Sequence, residues 1–219
     1  MVAYGDKSVF WQALVFTIIV FSIGLIFGFF MESWRADKSE SSLMTSEINL
    51  LDEQIKSGLI RDSNISCELA KSSVFAFADK IYAEALNLEK YDSRTKFERE
   101  IMILLHKRYD LLRMMLWSEA VSLKDRCSGF HTIVYFFDYD SQNIETKAKQ
   151  DFYSRMLVDL KNRNPSKVLL MPVAGNLDIA SVNLAMESYN LDAPAILIDE
   201  KTAVSEIITL EELEKKVLG

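Results

Sequence analysis

Phe130-His131-Thr132-Ile133-Val134-Tyr135-Phe136-Phe137-Asp138-Tyr139-Asp140 follows Ser128-Gly129 and changes the period of the chain. Before it, apolar residues recur every three or four positions. Within it they run almost unbroken, are β-branched or aromatic, and stop at an acidic turn. Such a run reads as a buried strand over Phe130–Phe137.

The residues that follow alternate in the same way. Glu145–Asn162 reads as a helix whose turn is closed by Pro165, and Val168–Val173 as a second apolar strand. Leu177–Tyr189 is helical in pattern and Ala195–Ile198 is a strand. A tight turn at Asp199–Thr202 leads to a further strand near Ala203–Ile207. Thr209-Leu210-Glu211-Glu212 is a capping box, in which the threonine hydroxyl and the glutamate carboxylate satisfy backbone donors at a helix start. The order is β-α-β-α-β-β-α. Helix-linked strands imply parallel pairing with right-handed crossovers, and the short turn implies a hairpin, so the fold class is α/β.

Upstream the pattern is helical. Thr95–Leu123 carries a broad apolar stripe that includes Leu104, Leu105, Leu111, Leu112, Met115 and Leu116. It suits the middle of a small bundle or a surface docked on the C-terminal domain. A further helix is expected near Ser63–Leu88, with Asn87–Arg94 as a polar turn and Ser57-Gly58 as another. Met44, Ile48, Leu51 and Ile55 form a 4-3-4 seam suited to packing on a second helix.

The N-terminus is apolar over a different length. No Asp, Glu, Lys or Arg lies between Ser8 and Met31, and Phe10–Phe30 is almost wholly apolar. About 20 such residues rise roughly 30 Å as a helix, enough to cross the hydrocarbon core of a bilayer. Trp11 and Trp34 flank the run at headgroup level. A cleaved signal peptide has a shorter core and a small-residue cleavage site. Phe29-Phe30-Met31-Glu32-Ser33-Trp34 offers none, so an uncleaved signal anchor over about 10–31 is expected. Gly24 and Gly28 make a G-x-x-x-G pair through which two anchors can approach as a homodimer. Lys7 before the run and Arg35 and Lys38 after it lean slightly towards a cytoplasmic C-terminal side, a one-charge difference too small to fix orientation. The expected division is 1–34 anchor, 35–128 helical spacer and 129–219 α/β domain.

The strand His131–Phe137 and the run Tyr189-Asn190-Leu191-Asp192-Ala193-Pro194-Ala195-Ile196-Leu197-Ile198, in this order, resemble the thioredoxin-like superfamily. The likeness covers about Phe130–Gly219. The whole layout is similar to membrane-anchored thioredoxin-like proteins of archaeal type. The resemblance implies a cis peptide bond before Pro194, bordering a groove that holds an extended polypeptide. Ala193, Pro194 and the loop Asp138, Tyr139, Asp140, Ser141, Gln142 and Asn143 would line it. The family carries C-x-x-C at the start of its first long helix, where a thiolate forms. Asp138–Lys147 contains no cysteine, so disulfide exchange cannot start there.

Elsewhere the sequence excludes more than it offers. The net charge is −7 and no Lys/Arg stripe occurs, which disfavours nucleic acid and anionic lipid surfaces. Neither His106 nor His131 has a zinc-type spacing, and no P-loop, dinucleotide fingerprint or Ser/His/Asp arrangement is present. No cofactor and no metal are expected. Asp138, Asp140 and Glu145 read as a solvated loop with Ser141 or Asn143 capping the helix. Cys67 and Cys127 are either a disulfide between spacer and α/β domain or two independent buried thiols. The disulfide is the expectation, and it puts the soluble region outside the cytoplasm. The Asn64-Ile65-Ser66 sequon matters only on that side. The functional expectation is a redox-inactive, membrane-tethered adaptor or chaperone-like module that binds a protein or peptide. The alternatives are a structural subunit assembled through anchor and spacer, and an oxidoreductase using Cys67 and Cys127.

Overall fold

Unbroken apolar character buries β1 (His131–Phe137) on both faces from Thr132 to Phe136, at the centre of a four-stranded sheet. The computed structural model describes residues 5–62, 65–89 and 96–219, and within them the side chains other than those of 5–8, 32–50, 53, 57, 60–62, 86–89 and 96–101. The remaining strands are β2 (Val168–Ala174), β3 (Ala195–Ile198) and β4 (Thr202–Val204), in the order β2-β1-β3-β4. β1 and β2 are parallel, with His131 opposite Val168 and Phe137 opposite Ala174. β3 is antiparallel to both β1 and β4.

A parallel pair needs a crossover, and α4 (Ile144–Arg163) supplies it. With α6 (Leu210–Leu218) it covers one face of the sheet, where Ile133, Tyr135 and Ile196 meet Tyr153, Leu157, Leu160 and Leu213. Tyr153 is fully buried there, and its hydroxyl donates to the Glu206 carbonyl at 2.7 Å. Against the other face lie α5 (Ala180–Ser188) and the long α3 (Lys96–Lys124), whose Trp117 meets Phe136 edge to face at 6.3 Å. α2 (Cys67–Glu89) packs on α3 and along the β2 edge. This strand order, with helices on both faces, is the arrangement of the thioredoxin fold.

The chain divides into two compact units, Met1–Lys56 and Ser57–Gly219. The division falls inside the 35–128 segment read as a spacer: α2 and α3 share a core with the sheet. In the first unit Val9–Met31 has a mean hydropathy of 2.6 and side chains that are all exposed. It is the one helical segment among the described residues long and apolar enough to cross a membrane, a test that a signal sequence also passes.

Several boundaries depart from the sequence reading. α1 (Gly5–Asp62) runs through Ser57-Gly58 without a turn, because a lone glycine in a helix costs only about 1 kcal/mol. α5 begins at Ala180 and not at Leu177, because Asp178 takes a left-handed φ of 52° that no helix accommodates. β4 ends at Val204: the Glu206 carbonyl is turned to Tyr153 and leaves the ladder. Asn64 of the sequon and residues 90–95 of the expected turn lie outside the described residues, as do the side chains of Lys7, Trp34, Arg35, Lys38, Met44 and Ile48.

Candidate functional site

The loop that leaves β1 is held by two reciprocal amide pairs. The Asp138 N–H donates to Gln150 Oε1 at 2.9 Å, and Gln150 Nε2 donates back to the Asp138 carbonyl at 3.1 Å. The Tyr139 N–H donates to Asn176 Oδ1 at 2.7 Å, and Asn176 Nδ2 returns a bond to the Tyr139 carbonyl at 2.9 Å. The Tyr139 ring lies 4.4 Å from the His106 ring on α3. Asp140 has a φ of 50°, a conformation aspartate tolerates better than most residues, and Gln142 Nε2 donates to its carbonyl at 3.0 Å. Burial raises the Asp138 carboxyl above its ordinary range.

Asn143, not Ser141, caps α4. Its Oδ1 accepts from the Glu145 and Thr146 amides at 2.8 and 3.1 Å. Asn143→Ala is expected to cost about 1 kcal/mol, read as a lower urea midpoint of the full chain. An unchanged midpoint would mean that water replaces the cap.

Opposite this loop the Ala193–Pro194 bond is cis, with Pro194 buried and Ala193 half-buried. No hydrogen bond occupies the Ala193 amide or carbonyl among the described residues. Gly175 joins the two segments. Its N–H donates to the Phe137 carbonyl at 2.7 Å, and a Cβ there would lie 3.4 Å from Ala193 Cβ and 2.8 Å from Met186 Sδ. Gly175 and Asn176 were not among the residues singled out from sequence. The signal was a Gly-Asn pair directly after an apolar strand, which marks a turn.

The cysteines lie elsewhere. Cys67 and Cys127 form a disulfide with a Cα–Cα distance of 5.5 Å. Cys127 is buried and precedes β1, whereas the loop follows β1, about 20 Å of strand away. Among the described residues no group of three or more His, Cys, Asp or Glu side chains is placed to hold a metal.

At that same end of β1 sits a polar network that sequence reasoning did not find. Lys124 Nζ contacts Asp199 Oδ1, Thr132 Oγ1 and Glu200 Oε2, the last at 2.9 Å. Trp117 Nε1 and Thr132 Oγ1 donate to Glu200 Oε1 at 2.7 and 2.6 Å. His131 Nδ1 lies 2.7 Å from Asp199 Oδ2, and the Thr132 N–H donates to Asp199 Oδ1 at 2.9 Å.

No protein-family model matches the chain, and a comparison with curated proteins finds no relative. Among solved structures, thioredoxin O2 from Arabidopsis thaliana in its oxidised state is similar at 15% identity. The match covers 48% of this chain and 90% of that one, with a TM-score of 0.32. A likeness at that score adds no weight, and the fold rests on the strand order and register.

Proposed function

We propose that this chain is a membrane-tethered, redox-inactive thioredoxin-like protein that binds an extended polypeptide at the rim formed by Ala193, Pro194 and Asp138–Asn143. The observation that carries the reading is the half-buried Ala193, whose backbone donor and acceptor are unoccupied beside a cis bond. An extended chain pairs with such groups and needs no thiol to do so. The loop opposite is braced by Gln150 and Asn176, which favours a fixed rim over one that folds on binding. Val9–Met31 serves as the anchor and the disulfide agrees with an oxidising side of the membrane.

The test uses the full chain in lipid nanodiscs and a permanently unfolded probe, reduced and carboxymethylated α-lactalbumin. Ala193→Glu, which places a charged side chain in the rim, is expected to weaken probe binding at least tenfold while the thermal midpoint holds. Equal binding by both proteins would sink the rim as the binding surface.

A thiol-exchange reading has one observation in its favour, the exposure of Cys67. It predicts insulin reduction that disappears in Cys67→Ser. The adaptor reading predicts none in either protein.

A further inference from the structure

A cavity of about 550 Å3 lies between α2, α3, α4 and the free edge of β2. That volume falls inside the range of small-molecule sites, roughly 300–1,000 Å3. Its walls include Tyr109 and Arg113 from α3, Tyr135 and Phe137 from β1, and Leu170 from β2.

Arg113 is the unusual member. It is 9% exposed, and Nη1 donates to Asp110 Oδ1 at 3.0 Å. No other acceptor reaches its guanidinium among the described residues, so most of a planar set of five N–H donors is unused at the cavity wall. Behind it Asp110 is 1% exposed, with Oδ1 on Arg113 and its carboxylate also drawn to the Ala174 amide at the β2 edge. A guanidinium this buried normally has its donors filled, because each unmet polar group costs free energy.

Leu170 adds backbone groups to the same wall. The ladder bonds His131 N–H to Lys167 O and Gly175 N–H to Phe137 O fix which β2 residues face β1. By that alternation Val168, Leu170, Pro172 and Ala174 face outward. Val168 is satisfied by Asn164 O and Lys161 Nζ, whereas the Leu170 amide and carbonyl have no partner among the described residues.

We infer that this cavity binds a small amphiphilic carboxylic acid, its carboxylate on the open donors of Arg113 and its apolar body against Tyr109, Tyr135 and Phe137. A planar guanidinium matches a carboxylate with two parallel bonds, and the surrounding rings supply apolar area. The site borders the braced side of the polypeptide rim, since Gln150 and His106 line it and also hold the Asp138–Asn143 loop, but it takes a different ligand and does not use Ala193.

The probes are 3-phenylpropionate and its neutral amide, 3-phenylpropionamide, titrated calorimetrically into the full chain in nanodiscs, with empty nanodiscs as the blank. The acid is expected to bind about tenfold more tightly than the amide. The paired change Asp110→Asn with Arg113→Gln, which strands no charge, should erase that preference. Because that pair can disturb packing, Ala78→Trp is the second variant: it leaves Arg113 in place, fills the space from α2 and should abolish binding of both probes. Equal binding of acid and amide, no binding at millimolar probe, or binding untouched by Ala78→Trp would each overturn the assignment.

Discussion

Reduction of the Cys67–Cys127 bond, or its removal by Cys67→Ser with Cys127→Ser, is expected to destabilise the C-terminal unit by about 4 kcal/mol. The magnitude follows from chain entropy: the bond closes a loop spanning 60 residues, and releasing it returns that freedom to the unfolded state. The native arrangement is expected to survive, because α2 has other attachments at this end. Lys71 Nζ donates to the Gly129 carbonyl at 2.8 Å, and the Phe75 ring meets Phe130 edge to face at 6.0 Å. Lys161 Nζ sits over the same Phe75 ring, 4.8 Å from its centre. Urea unfolding of the full chain with and without reductant measures the difference. Reductant should lower the midpoint of the natural protein and leave the double serine variant unmoved. Coincident curves for oxidised and reduced protein would assign the bond no structural role and turn attention to its exchange chemistry. Alkylation of native membranes gives a companion readout: both thiols should stay blocked until reduction.

The strands were legible because their signal is local. Phe130–Phe137 and Ala195–Ile198 are short, apolar and bounded by turn residues; β3 forms with the bounds expected and β1 starts one residue later, at His131. The capping box was legible for the same reason: Thr209 and Glu212 are three residues apart and bond each other's backbone. Gly58 misled because a glycine marks a turn only when the chain needs one, and here the helix continues on both sides. The end of β4 was hidden because it depends on Tyr153, 53 residues away in sequence. Arg113 and Asp110 were not singled out, because nothing in the Thr95–Leu123 pattern separates them from surface charges. Their burial arises only when α2 and the β2 edge close over α3, a tertiary event with no local trace.

Lys124 illustrates the same limit and carries the second large effect. It ends α3, while its partners Asp199 and Glu200 form the β3–β4 turn, 75 and 76 residues further on. Both turn residues have left-handed φ values, 49° and 57°. Such turns favour Asn and Gly, and a non-glycine there persists only when its surroundings hold it. Lys124→Met keeps the stem and removes the charge, leaving two partly buried carboxylates side by side. The expected loss is about 2–3 kcal/mol, below that for a fully buried pair because the side chains of Asp199 and Glu200 are still 27% and 15% exposed. Acid should reveal the mechanism. Burial alone would raise the Asp199 carboxyl, but hydrogen bonds from Lys124, His131 and the Thr132 amide outweigh it and hold it below its ordinary value of 3.8. A carboxylate so depressed contributes stability that is complete above its unfolded value and lost as pH falls through the folded one. The natural protein should therefore keep this contribution down to about pH 4 and lose it below. In Lys124→Met the depression relaxes, so a smaller contribution fades at higher pH. Urea midpoints across the acid range test this, and two curves separated by a constant offset at every pH would show that Lys124 acts through packing alone.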